Sequence, residues 1–281
     1  MDKNKIQQFI NEALKEDVGE GDHTSLATIP AHAFGKAKLL IKDNGVIAGV
    51  ELALDIFKTV DADLKVDVFI HDGAPVKYGD VALMVSGNAR SILAAERLVL
   101  NTMQRMSGIA TTTNQIVKLL STTNTKVLDT RKTTPNLRFL EKWAVQIGGG
   151  VNHRFGLYDM ILIKDNHVDY AGGIANAILS AQNYLKANHK DLQIEIEVRN
   201  LSELQEVIKI GGIDRILIDN FNFEELKKAI KLVDGRFITE ASGGITEENA
   251  LEYAKCGVDF ISMGALTHSV KSLDISLKAV I

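Results

Sequence analysis

The chain has 281 residues, 46% hydrophobic and 24% charged, with a formal net charge of -4 and a sequence pI near 6.0. Such a chain is long enough for two domains or for one barrel with an extension, and it has no broad basic face with which to release counterions from nucleic acid. No apolar run reaches the ~18 to 20 residues that span a bilayer, the first ten residues lack a signal-peptide core, and the single cysteine, Cys256, excludes an internal disulfide or cysteine metal cluster and fits a reduced, cytoplasmic setting.

The first ~15 residues predict an amphipathic helix with Ile6, Phe9, Ile10 and Leu14 on one face. Residues 16–25, rich in acids and glycine, predict no packed element, although Asp22 or Thr24 beside His23 suits a helix cap. Short strands follow at 37–41, 64–70 and 81–85, turned at Asp72-Gly73 and Gly79-Asp80, with a helix over 49–60. Together they predict a small α/β domain. Residues 89–120 contain no proline and keep a helical period broken only near Ser107-Gly108, so one long helix or two abutting ones are expected. Arg97, Asn101 and Arg105 share a face of it.

Past Lys126, strand and helix alternate, with strands predicted at 126–128, 161–163, 193–198, 215–218, 237–239 and 259–262. Glu197, Asp219, Ala241 and Met263 occupy equivalent strand-end positions 22 residues apart, the rhythm of a parallel β/α array. Six strands are fewer than the eight of a closed barrel, which points to an incomplete one. A doubly wound sheet, which also places ligands at strand carboxyl ends, stays open as the alternative. Trp143, with Phe139 and Ile147 at helical spacing, and Cys256 ahead of Gly257 read as core, and His189 as solvated.

The chemistry gathers at the strand ends. Arg131, Lys132, Arg138, His153, Arg154 and Lys164 crowd residues 129–166 of an acidic protein. Such cations repel one another unless an anion or acidic partner lies among them. Arginine forks suit a compact, multiply charged carboxylate. A-S-G-G-I-T (241–246) and S-M-G-A-L-T-H-S (262–269) each follow a strand and are expected to open a helix, as phosphate grips do, although glycines also simply make tight turns. Glu197 and Asp219, at neighbouring strand ends, suit a magnesium ion shared with a diphosphate or a structural ion pair with Lys164 or Arg199. Glu195 shares their face by strand alternation. Lys164 ends an apolar strand and is open to three roles: Schiff base, phosphate ligand or salt bridge.

Long motifs then recur in one order: E-D-x-G-x-G-D-x-T-S from Glu16, E-R-x-x-L-N-x-x-x-x-x-S-G-I-A-T from Glu96 to Thr111, and D-T-R-K-T-T-P-x-L-R from Asp129. N-H-R-x-x-L from Asn152, I-K-D-N-H from Ile163, L-I-D-N-F from Leu217, A-S-G-G-I and S-x-G-A-L-T-H-S complete the series. Over nearly its full length the chain resembles the quinolinate phosphoribosyltransferases. The resemblance implies an α/β architecture of two domains assembled as a homodimer. An N-terminal α/β sandwich takes residues 1–115, including the long helical segment. A C-terminal open, TIM-like α/β barrel takes 116–281, with the extreme C-terminus packing back on the first domain.

It implies transfer of phosphoribosyl from phosphoribosyl pyrophosphate to quinolinate with decarboxylation, giving nicotinate mononucleotide, diphosphate and carbon dioxide in NAD biosynthesis. By the same resemblance Arg131, Lys132, His153, Arg154 and Lys164 hold the pyridine dicarboxylate, and Arg97 reaches it from the neighbouring subunit. Glu197 and Asp219 bind phosphoribosyl pyrophosphate with Mg2+, directly or through substrate and water. Ser242, Gly243, Gly244, Ser262 and Gly264 grip the 5-phosphate, and Lys132, Lys164, Glu197 and Asp219 form the catalytic set. Arg199 and an apparent extra residue within 210–216 depart from the family pattern without touching these positions. A nicotinate-specific transferase without decarboxylation and a Schiff-base aldolase on Lys164 stand as rivals, and the complete cation set favours the dianionic substrate.

Overall fold

A computed structural model describes residues 2–280 as two compact units. The first comprises residues 2–112, 146–148 and 270–280. It opens with helix α1 (Lys3–Val18), capped by the Asp2 carboxylate, which buries Ile6 and Ile10. Residues 16–25 are more ordered than their composition predicts. Helix α2 (His23–Thr28) starts there because the Asp22 side chain accepts the Ser25 N–H, a local bond that fixes the first turn.

Strand β1 (Phe34–Ile41) buries Ala37, Leu39 and Ile41 in alternation. Next come β2 (Gly45–Val46), α3 (Val50–Val60), β3 (Lys65–Val68), β4 (Pro75–Val76), β5 (Val81–Asn88) and helix α4 (Ala89–Leu119). Helix α4 is continuous. Its Ser107-Gly108 pair is not a break: Ser107 Oγ donates to Ala48 O (3.2 Å), and a Cβ on Gly108 would lie 2.3 Å from Lys271 O. Small residues there allow close backbone approach.

The second unit comprises residues 113–145 and 149–269. It contains β6 (Lys126–Leu128), α5 (Arg138–Ile147), β7 (Ile161–Ile163), α6 (Asp165–Ala171), α7 (Ile174–Ala187), β8 (Ile194–Val198), α8 (Leu201–Ile210) and β9 (Arg215–Asp219). Helix α9 (Phe223–Val233), β10 (Ile238–Ser242), α10 (Ala250–Lys255), β11 (Phe260–Ser262) and α11 (Ala265–His268) complete it. All six strands are parallel, in the order β6-β11-β10-β9-β8-β7. The first strand therefore lies beside the last, which is barrel winding. A doubly wound sheet would instead reverse its order beside its first strand.

No pairing joins β6 to β7 among the described residues, so the barrel is open. Its free edge at β6 is extended by one residue, Val151, bridged in parallel to Leu128. On α5 the buried side includes Glu141 and Lys142 beside Phe139 and Leu140, while Trp143 and Ile147 are only half-buried, unlike the predicted core face.

The chain then returns to the first unit. Strand β12 (Ile275–Ala279) pairs antiparallel with β1, completing a four-stranded sheet in the order β12-β1-β5-β3. The barrel unit thus ends at residue 269, and the last segment is part of the N-terminal sandwich. No helix among the described residues is long and apolar enough to cross a membrane.

Candidate active site

The carboxyl ends of the barrel strands surround a cleft of about 910 Å³ lined entirely by the second unit. Arg131 and Lys132 follow β6, Lys164 follows β7, Glu197 is the penultimate residue of β8 and Asp219 the last of β9. Ser242, Gly243 and Gly244 follow β10, and Ser262 and Gly264 follow β11. His153 and Arg154 enter through the Val151 bridge beside β6. All twelve of these predicted site residues line the one cleft. Arg97 belongs to the first unit, exposed on α4.

The cationic end stands on a buried ion pair. Asp129, just past β6, is fully buried and paired with Lys142 of α5, whose side chain is only 2% exposed. Asp129 Oδ1 also accepts the His153 N–H (2.8 Å), and Lys142 Nζ donates to His153 O (3.1 Å). The hydrogen-bond pattern turns the Asn152 amide nitrogen toward Asp129 Oδ2 (2.7 Å). The backbone of residues 152–153 is thereby fixed to the end of β6. Burial pushes the Asp129 carboxyl up and the Lys142 ammonium down, and each partner's charge opposes the shift in the other.

Arg138 joins the opening cation cluster but does not line the cleft. It bonds Thr133 Oγ1 (2.9 Å), Phe155 O (3.0 Å) and Arg131 O (3.4 Å), holding two loops together. Arg154 donates to Met160 O (3.2 Å), and its guanidinium is driven down first by burial and then by the Arg131 charge. Two arginines this close favour an anion between them.

Both nitrogens of His153 are engaged. Nδ1 accepts the Arg154 N–H (2.7 Å), and Nε2 lies 3.0 Å from Glu195 and 3.4 Å from Glu240. Glu240 also meets Arg215 Nη1 (3.1 Å). Burial opposes charge on the His153 ring, but the two acids raise its pKa to about 9. Burial and the Glu240 charge raise Glu195 as well. A proton on Nδ1 would face the Arg154 N–H, so the ring geometry is that of the Nε2–H tautomer. The second proton belongs to the His153–Glu195–Glu240 cluster as a whole. Two carboxylates, Arg215 and that proton sum to zero charge, which is what burial demands. Ligand-type atoms of His153, Glu195 and Glu240 lie within 4.8 Å of one another, but Arg215 and the shared proton already supply the balancing charge.

At the acidic end, burial and then Asp219 raise Glu197, with Lys164 opposing. Asp219 is raised by burial against an Asn220 hydrogen bond, Lys164 and Lys132. Arg199 is not the partner of Glu197: it pairs with Glu203 (2.8 Å) and Asp169 (3.4 Å). Among the described residues no ion pair engages either cleft acid.

The phosphate turns differ from expectation. Gly243 (φ 93°) and Gly244 (φ 61°) need the left-handed backbone, but residues 245–249 separate them from α10. Asn249 closes that loop, accepting the Thr246 N–H (2.8 Å) and donating to Gly244 O (3.0 Å). Helix α11, after Gly264, has only four residues. Turn N–H groups rather than long helix dipoles are thus the available anion donors. At Gly264 a Cβ would lie 2.9 Å from Lys132 Cδ, so that glycine leaves room for the lysine.

Thr130, Asp165, Asn220, Thr246 and His268 also line the cleft and were given no role from the sequence. Each lies inside one of the quoted motifs, and that membership was the signal available.

Residues 22–107 match the family model "Quinolinate phosphoribosyl transferase, N-terminal domain", and residues 109–278 match the corresponding C-terminal domain model. The chain is 48% identical to "Nicotinate-nucleotide pyrophosphorylase [carboxylating], chloroplastic" of Arabidopsis thaliana, covering 97% of this chain and 82% of that protein. It is 41% identical to a Bacillus subtilis protein described as a probable nicotinate-nucleotide pyrophosphorylase [carboxylating], over 97% and 93%. Its fold superposes on the crystal structure of NadC from Streptococcus pyogenes with a TM-score of 0.94 at 38% identity, covering 100% and 99% of the two chains. Two successive domain models, full-length relatives and a shared two-unit fold agree: the chain belongs to the quinolinate phosphoribosyltransferase family.

Proposed function

We infer that the chain is the phosphoribosyltransferase its relatives are named for. It joins phosphoribosyl pyrophosphate and quinolinate, releases diphosphate and carbon dioxide, and forms nicotinate mononucleotide for NAD biosynthesis. The observation that carries this reading is the make-up of one cleft. Arg131, Lys132 and Arg154 line it beside β6, and the unpaired acids Glu197 and Asp219 line it from β8 and β9 with Lys164 in electrostatic reach of both, glycine turns completing the wall. A dicarboxylate suits the first group and a sugar diphosphate the second.

Departure of diphosphate breaks the C1–O bond and leaves a cation-like sugar carbon. Glu197 and Asp219 lie where that charge would be stabilised, and Lys164, within electrostatic reach of both acids, draws off the leaving group's charge. The pyridine nitrogen then bonds the carbon. Loss of the adjacent carboxylate leaves its electron pair in a ring made electron-poor by the positive nitrogen, so the protein mainly orients the dicarboxylate and excludes water. We assign the proton that completes the ring to Lys132. Glu197 and Asp219 would hold Mg2+, directly or through substrate and water, where it would neutralise the diphosphate. Two half-buried acids without ion-pair partners fit such a cation.

We also assign Arg97 to the site of a second copy in a homodimer, in keeping with its exposure on α4, and place the enzyme in the cytoplasm. Incubating the protein with quinolinate, phosphoribosyl pyrophosphate and Mg2+ should yield nicotinate mononucleotide. Product from nicotinate but not from quinolinate would overturn the assignment.

A further inference from the structure

Asn220 follows Asp219 at the end of β9 and has a left-handed backbone, φ 57°, which costs a non-glycine residue energy unless its surroundings hold it there. Three contacts hold it. Its N–H donates to Ser242 O (2.9 Å), continuing the β9–β10 ladder one residue past the strand. Its Nδ2 donates to Asp219 Oδ2 (2.5 Å). Its Oδ1 fills the space over Gly243: a Cβ there would lie 2.2 Å from Oδ1, 2.6 Å from Cγ and 2.9 Å from the Asn220 backbone nitrogen. The left-handed turn is what lets one short side chain face its own neighbour's carboxylate and the next strand's glycine turn together.

We propose that Asn220 is a positioning residue that fixes the Asp219 carboxylate and keys it to the Gly243 turn. The acid and the 5-phosphate grip then meet one sugar diphosphate at a set spacing. The geometry also explains why position 243 carries no side chain: besides its own positive φ, the space is occupied by Asn220. An aspartate at position 220 would match the backbone preference and the shape but would place a second carboxylate against Asp219. The amide is the side chain that tolerates the left-handed turn and still donates. The role is one of orientation: one of the two amide hydrogens is given to Asp219.

This inference rests on the phosphoribosyl pyrophosphate reading of the cleft, and the test separates the two. Asn220→Gly keeps the backbone conformation accessible and removes only the side chain. Its melting temperature should stay near wild type. Its Kd for phosphoribosyl pyrophosphate, measured by calorimetry without the pyridine, and its kcat/KM for that substrate should worsen by about tenfold or more, the scale seen when a residue orienting a ligand group is lost. KM for quinolinate should move less than about twofold, a split that a general structural role would not produce.

Asn220→Asp should lose more than Asn220→Gly. Gly243→Ala should cost less in the Asn220→Gly background than in wild type, because the side chain it meets is gone. An active wild type whose Asn220→Gly variant keeps both constants within about twofold, or a Gly243→Ala cost unchanged by Asn220→Gly, would overturn the proposal. A wild type that neither binds nor consumes phosphoribosyl pyrophosphate would overturn the underlying reading instead.

Discussion

Replacing Lys142 by methionine tests the foundation of the cationic end. The side chains of Lys142 and Asp129 are 2% and 0% exposed, so solvent cannot compensate for a missing partner. Removing one member of a buried pair typically costs about 3–5 kcal/mol, a large share of a total stability of about 5–15 kcal/mol. Asp129 would keep only neutral donors, the His153 N–H and the Asn152 amide. Its carboxyl, already pushed up by burial, would lose the opposing Lys142 charge and rise further.

The sign of the pH effect follows. A carboxyl whose folded pKa lies above its unfolded value binds more protons folded than unfolded. The Lys142→Met variant should therefore lose stability as pH rises from the ordinary aspartate range through the raised pKa. Urea denaturation across pH 5 to 8 measures both effects. Adding Asp129→Asn, which still accepts from His153, should restore part of the loss and remove the pH slope. A single-variant loss below about 1 kcal/mol, or strictly additive losses in the cycle, would refute the buried-pair argument.

Arg131→Ala should raise KM for quinolinate by at least about tenfold, one lost charge-assisted contact, while leaving that for phosphoribosyl pyrophosphate within about twofold; equal losses would remove Arg131 from the dicarboxylate end. The His153 cluster predicts a second pH effect. The proton shared by His153, Glu195 and Glu240, where against burial the acids raise the histidine from 6.5 to about 9, contributes stability that is present below pH 6.5 and lost as pH rises through about 9. The amplitude is at most on the order of 3 kcal/mol. Thermal melts of wild type and His153→Asn over that window should differ in slope, and parallel curves would show that the cluster proton is not held there.

The barrel was legible because its signal is periodic. A strand and a helix recur every 22 residues from Glu197 to Met263, and the long motifs marked the cleft lining through the resemblance. The four strand-end positions are not equivalent, however: the register sets Glu197 beside Leu217 and Asp219 beside Ser242, so Ala241 and Met263 do not line the cleft. What escaped depends on pairings that only folding creates. Lys142 sits in E-K-W, on a helix whose charged residues look solvent-bound, and is buried because Asp129, 13 residues back just past a strand, and the His153 carbonyl receive its ammonium. The cap at Asp22 is a pair of local bonds from the Ser25 N–H and hydroxyl, inside a stretch whose composition reads as loop. The phosphate turns look continuous with their helices in sequence. In the fold, residues 245–249 form a loop closed by the Asn249 side chain, and no period in the sequence marks it.

The crowd of cations in residues 129–166 is stable for a reason that lies outside that segment. Lys142 is neutralised by Asp129, and the cluster behind His153 reaches zero net charge with two acids from β8 and β10 and an arginine from β9. Arg138 is spent on backbone carbonyls. That leaves Arg131, Lys132, Arg154 and Lys164 as the positive charge of the cleft. Lys164 and Lys132 are each opposed at a distance by the acids at Glu197 and Asp219. Arg131 and Arg154 repel each other, adding to the burial that chiefly lowers Arg154. Charge balance therefore leaves room for an anion on the Arg131–Arg154 side of the cleft, in keeping with the proposed dicarboxylate site. Nearer Lys164 the lysine and the two acids would together suit an anionic ligand that brings its own cation, as the proposed sugar diphosphate with Mg2+ would.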